Sequence, residues 1–194
     1  MSVHDYFKES KVDLKGLSKY FDDLKSEARV AEARSLTAKE QAALFDAAKG
    51  FKPLTIDDFV PPSHQAFKPV IHYGKNSLPL FSIFEKRFCR PDNDHNKKEL
   101  WGYNEQAMKF FTGPGYFIAR QHNGEEVVID YYEVPSRKPE SWPTILPNSA
   151  KLSRFVYFHT RDYMRGVSKH VSIGKASKND KPMNNWFVLC REEI

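Results

Sequence analysis

The sequence has little of what usually carries chemistry. Its 194 residues include two cysteines, Cys89 and Cys190, too few for a disulfide scaffold. The opening MSVHDYFKESK mixes both charge signs without an apolar run, so it is not read as an export signal. The thiols are therefore expected to be reduced and the protein cytoplasmic. No stretch approaches the ~20 apolar residues that span a bilayer. The nine glycines form no GxGxxG, and Gly113-Pro114-Gly115 lacks the Lys-Ser/Thr ending of a phosphate loop. Pro114 also removes a backbone donor that such a loop would use. The histidines at 4, 64, 72, 95, 122, 159 and 170 show no HxH or HExxH spacing. Asp92, Asp94 and Asn96 begin like a calcium loop, but Lys97 and Tyr103 stand where the loop needs Gly and Glu. No metal and no cofactor are expected.

What is present is a globular composition, 40% hydrophobic and 14% aromatic, which excludes a disordered chain. A chain of this length buries roughly 70% of its unfolded surface, enough for one core without staples. The net charge of +5 is unevenly placed. Lys/Arg and Asp/Glu cancel over 1–50 and over 51–150, while 151–194 holds nine cations against four anions. A localised basic segment, 151–191, points to an anionic partner.

Two helical patterns come first. Leu14, Leu17, Phe21, Leu24, Ala28 and Ala31 recur at spacings of three and four, which predicts one helix over 11–34. Thr37 with Glu40 forms a capping box, and Gly50 after Lys49 supplies a left-handed stop, so 37–49 is a second helix. Prolines at 53, 61, 62, 69 and 79 then predict an extended, loop-rich passage. Leu80–Phe88 reads as a strand, 92–99 as a polar loop, and 100–111 as either strand or helix. Tyr116–Gln121 and Glu126–Val134 flank Asn123-Gly124, a strong hairpin signal. Residues 135–150 hold four prolines and form a long loop, which Trp142, Ile145 and Leu146 tie to the body. Phe155–Thr160, His170–Lys175 and Trp186–Arg191 read as strands, Arg161–Gly166 as a helical turn, and Ala176–Asn185 as a loop. The fold class is α+β: a helical segment, 1–50, packed on a β-rich body, 51–194. Its sheet is antiparallel and barrel-like, all within one domain.

The favoured function is a non-catalytic binding or adaptor protein. Its partner would be an anionic small molecule or an acidic protein surface. On a helical turn Arg161 and Arg165 would share a face and clasp one anion, with Lys169 or His170 as a third donor. The competing reading pairs these arginines with internal carboxylates such as Asp130 or Asp162. Nucleic acid is a weaker partner, because no nucleic-acid fold signature accompanies the cations. The alternative is an enzyme with a spatially assembled site, using His72 or His170 as acid/base beside an arginine. A further alternative is an oligomeric role for the Leu14–Ala31 stripe. Alternate residues of the tyrosine-rich strands could also line a barrel interior able to hold one small ligand.

Overall fold

A computed structural model describes residues 1–9, 11–80, 82–92, 98–106, 113–150 and 152–194. Residues that alternate between two environments run through its whole second half, and each such run is a strand. The strands are β1 (Val70–Asn76), β2 (Ile83–Cys89), β3 (Glu99–Glu105), β4 (Phe117–Gln121), β5 (Val127–Asp130), β6 (Thr160–Gly166), β7 (Val171–Lys178) and β8 (Lys181–Arg191). Each pairs antiparallel with the next, and β8 returns to β1, closing an eight-stranded barrel. Closure leaves no unpaired sheet edge.

Phe84, Phe88, Leu100, Phe117, Val127, Ile129, Met164 and Leu189 fill the interior as one buried cluster. Three glycines make room for phenylalanines on their register partners: Gly74 for Phe84, Gly102 for Phe117 and Gly174 for Phe187. A Cβ added at Gly102 would lie 2.3 Å from Phe117 Cε2, and one at Gly174 would lie 2.4 Å from Phe187 Cζ. Leu54, Ile56, Phe59 and Val60 join the interior cluster and plug one end of the barrel. Phe59, on the short helix α4 (Ile56–Phe59), stacks on the His72 ring at 5.1 Å.

Two layers cover the outside. Helices α1 (Leu14–Asp23), α2 (Ser26–Ser35) and α3 (Ala38–Ala47) pack Leu17, Phe21, Ala33 and Leu44 on the outward residues Val171, Ile173, Val188 and Cys190. The long loop 135–150 lays Trp142 over Trp101, Tyr103, Tyr116 and Cys89. This loop packs back as its apolar residues predict, and Asn148 Nδ2 fastens it by donating to Tyr116 O and Tyr131 O.

Several local expectations need correction. The helix predicted over 11–34 breaks at Leu24, whose backbone is extended (φ −77°, ψ 145°). Arg29 caps the break by donating to Phe21 O and Leu24 O. Beyond the break Ala28 and Ala31 face solvent, while Arg29 and Ala33 are buried. Arg161–Gly166 is strand, not a helical turn, because Asp162 and Gly166 occupy inward positions that an apolar alternation would fill. Phe155–Thr160 is not a strand: a helical turn, α5 (Ser153–Val156), precedes β6. Residues 176–185 are no loop but the ends of β7 and β8, joined at Asn179-Asp180 with φ of 50° and 59°. Both central residues of a two-residue type I′ hairpin need positive φ, and Asn and Asp tolerate it. β1 was hidden in the proline-rich passage. The capped helix at 37–49 and the Asn-Gly hairpin form as expected, with the capping box intact and Gly124 at φ 82°. Phe81, Asp94, His95, Asn96, Lys97 and 107–111 lie outside the described residues.

Candidate functional site

Inward positions of a small barrel are normally apolar, and four polar ones here converge on a single cluster. Lys86 comes from β2, Asn104 from β3, Tyr131 from the end of β5 and Asp162 from β6. They meet in the lumen. Lys86 Nζ donates to Asn104 Oδ1 at 2.9 Å, to Asp162 Oδ2 at 3.1 Å, and to the Tyr131 hydroxyl. Asn104 Nδ2 in turn donates to Gly115 O and to Tyr131 Oη. Lys86 is the one buried lysine among the described residues, with 3% of its surface accessible. The rings of Phe84, Phe117, Tyr131 and Phe187 lie 5.0–5.6 Å from Nζ, adding cation–π attraction on several sides.

The electrostatics follow from burial. Loss of water lowers the Lys86 pKa, and the Asp162 carboxylate acts against that shift. Burial also raises the Tyr131 phenol well above its ordinary value, with the Asp162 charge adding to the rise. An unpaired buried charge would cost several kcal/mol. The lysine is tolerated because its three protons meet three acceptors and its charge meets a carboxylate.

Above this floor lies a cavity of about 290 Å³, open at the barrel end opposite the Phe59 plug. Phe84, Tyr157, Ala176 and Phe187 wall it, and Leu78, Leu80, Val156 and Met183 stand at its mouth. Asn76, Gln106, Thr160 and Asn185 add hydrogen-bonding groups between wall and mouth. The volume sits at the low end of small-molecule pockets, and an apolar wall with a few convergent polar groups is their usual make-up. Among the described residues no cluster of His, Cys, Asp and Glu could hold a metal ion.

The residues singled out from sequence lie elsewhere. Arg161 and Arg165 point outward from β6, and both are engaged. Arg161 Nε meets Asp130 Oδ2 at 2.9 Å and Nη1 meets Asp180 Oδ1 at 2.8 Å. Arg165 Nε meets Glu126 Oε1 at 2.6 Å while Nη1 donates to Phe45 O. The pairing with Asp130 is the one the competing reading anticipated, whereas Asp162 pairs with Lys86. Lys169 and His170 lie in the β6–β7 turn, where the Lys169 amide donates to Asp22 Oδ1. They line a second, minute cleft of about 10 Å³ together with His72. So the structure unites His72 with His170 and Lys169, and leaves Arg161 and Arg165 to their own carboxylates.

That cleft is tight. His72 Nε2 bonds Phe59 O at 3.0 Å, which makes Nδ1 the acceptor of the neutral ring. Burial pushes the His72 pKa down to about 3, and that of His170 down to about 4. The Nδ1 atoms of both rings and Nε of Arg191 are buried without a protein partner. The space suits about one water molecule, the smallest guest able to bridge such groups. It has no room for an organic substrate.

The lumen tetrad was missed because each member looks ordinary in sequence. The one available signal is position: Lys86 and Asp162 stand where alternation demands an inward side chain. No protein-family model matches the chain, and no curated protein matches it by sequence. Fold and site define a class nonetheless: a closed up-and-down barrel with a charged floor under an apolar cavity. Among the described residues no helix is long and apolar enough to cross a membrane.

Proposed function

We propose that this protein binds a small organic molecule inside the barrel, with an apolar body against the walls and a hydrogen-bonding head near the floor. The observation that carries the reading is the apolar cavity open at one end over the Lys86–Asp162 pair. The floor is charge-balanced and all three Lys86 protons have acceptors, which favours an uncharged head group over the anion expected from the basic segment. Arg161 and Arg165 are engaged by Asp130, Asp180 and Glu126, which weakens a binding role for them.

The test uses two fluorophores. N-phenyl-1-naphthylamine is apolar and neutral, and 8-anilinonaphthalene-1-sulfonate adds an anionic sulfonate to a similar skeleton. The expected result is saturable binding of the neutral probe, weaker binding of the sulfonate, and loss of both in Ala176→Trp, whose indole fills the cavity. Equal binding to wild type and Ala176→Trp would reject the lumen. Tighter binding of the sulfonate would return the ligand to the anionic class.

A second reading is an enzyme working at the same floor. Burial moves the Lys86 amine toward its neutral form, and a carboxylate lies within proton-transfer distance. A lysine so desolvated can act as base or nucleophile. Turnover of small carbonyl compounds that Lys86→Met abolishes, with probe binding retained, would establish it. Turnover unchanged in Lys86→Met would remove it.

A further inference from the structure

Of the ten large apolar side chains left in water among the described residues, six gather at one end of the barrel. Leu78, Leu80, Val156 and Met183 ring the mouth of the cavity, Phe155 precedes Val156 on α5, and Ile83 opens β2 at the same end. Phe155 is 73% and Leu80 71% accessible. A concentration of this kind marks a surface that is covered in use. Cations stand beside it. Arg154 is exposed on α5, Lys178 Nζ donates to Phe155 O, and Lys181 faces Lys178 across the β7–β8 hairpin. The neighbouring anion, Asp180, is occupied by Arg161. The excess positive charge of the C-terminal segment therefore reaches the apolar rim.

We infer that this rim docks the mouth of the barrel onto an anionic lipid surface, with Phe155, Leu80 and Met183 entering the interface and Arg154, Lys178 and Lys181 meeting the headgroups. Charge complementarity selects this occupant. An apolar patch edged by Lys and Arg matches the boundary between acyl chains and anionic headgroups. A second copy of the chain would bring the same cations against themselves. Docking also opens the cavity directly onto the acyl region, so an apolar ligand passes between lipid and lumen without crossing water. That last step rests on the binding reading above, whereas the docking itself does not.

The experiment is co-sedimentation of the full chain with vesicles of phosphatidylcholine, with and without phosphatidylserine. Binding is expected to the mixed vesicles, to fall with added salt, and to be marginal on phosphatidylcholine alone. Each cation near such a surface strengthens binding about fivefold, so Arg154→Glu with Lys181→Glu should reduce it more than tenfold. Phe155→Ser with Ile83→Ser, neither of which lines the cavity, should abolish it. Far-UV circular dichroism and urea unfolding of the same variants confirm that they are folded, and N-phenyl-1-naphthylamine titration in buffer reports separately on the lumen. Failure of the wild type to bind mixed vesicles overturns the inference, as does undiminished binding by both double variants. Reversible dimerisation that Phe155→Ser removes, without vesicle binding, would assign the rim to a second copy and also overturn it. Vesicle binding with no probe binding would keep the docking and reject the lumen reading.

Discussion

Lys86 Nζ and Asp162 Oδ2 lie 3.1 Å apart although their strands are on opposite sides of the barrel. Three strands lie between β2 and β6 in either direction around the ring. The pair is a strut across the lumen: it sets the floor of the cavity and ties two walls that share no backbone ladder. Asn104 and Tyr131, from β3 and β5, brace it from one side.

Breaking the strut leaves one charge buried without its counter-charge, which typically costs 3–5 kcal/mol, roughly. Lys86→Met and Asp162→Asn are each expected to destabilise the protein on that scale in urea unfolding. The double variant should lose at least ~1 kcal/mol less than the two singles added, since neither charge is then stranded. Simple additivity would show that the two groups do not depend on each other.

Close packing inside the barrel makes Gly102 intolerant. A Cβ there meets Phe117 at 2.3 Å and the Arg87 carbonyl at 2.6 Å. Overpacking of a well-filled core costs about 1–3 kcal/mol, so Gly102→Ala should lower the unfolding midpoint. Combination with Phe117→Leu should recover part of the loss, the Arg87 contact accounting for the remainder.

His72 makes stability depend on pH in a defined direction. Its folded pKa, about 3, lies below the ordinary imidazole value of 6.5, so between these values the unfolded chain binds a proton that the native state refuses. Stability from this residue is fully present above pH 6.5 and is lost as pH falls toward 3, at about 1.4 kcal/mol per unit. His170 acts with the same sign. His72→Phe keeps a ring against Phe59 and Phe88 and should flatten the acid side of the stability curve by that slope. Parallel curves for the two proteins between pH 4.5 and 6.5 would contradict the assignment.

The thiols are expected to be silent. Burial pushes Cys89 up to about 12 and Cys190 up to about 11, and a thiolate is the reactive form. Labelling with a disulfide reagent should proceed at the rate of unfolding, and quickly in denaturant. Fast labelling of the native protein would show that one of these layers opens readily.

Much of the fold was legible where a local rule has a strong physical cause. The Thr37–Glu40 box and Gly50 fix the ends of α3 by satisfying backbone groups, and Asn123-Gly124 fixes the β4–β5 turn through its positive φ. The alternation rule failed where the lumen is polar or glycine-bearing. β1 carries His72 and Gly74 inward and β6 carries Asp162 and Gly166, so neither shows an apolar stripe. The break at Leu24 was invisible because its cap comes from Arg29, a tertiary use of a residue that the stripe places on the polar face. The site was less legible still. The basic segment drew attention to Arg161 and Arg165, whose partners Asp130 and Glu126 lie on or beside another strand. Lys86 and Asp162 are 76 residues apart and meet only when the ring closes. The expectation that tyrosine-bearing strands line an interior came nearest, since Tyr131 at the end of β5 faces the cavity, although Tyr157, which also faces it, follows a helical turn and lies on no strand.

The proposed ligand site is the lumen above Lys86 and Asp162, with room for one small molecule. Native mass spectrometry of wild type and Ala176→Trp, each incubated with N-phenyl-1-naphthylamine, tests it most directly. One bound probe per wild-type chain is expected, and none on the folded variant. Several probes per chain, bound equally by both proteins, would contradict it.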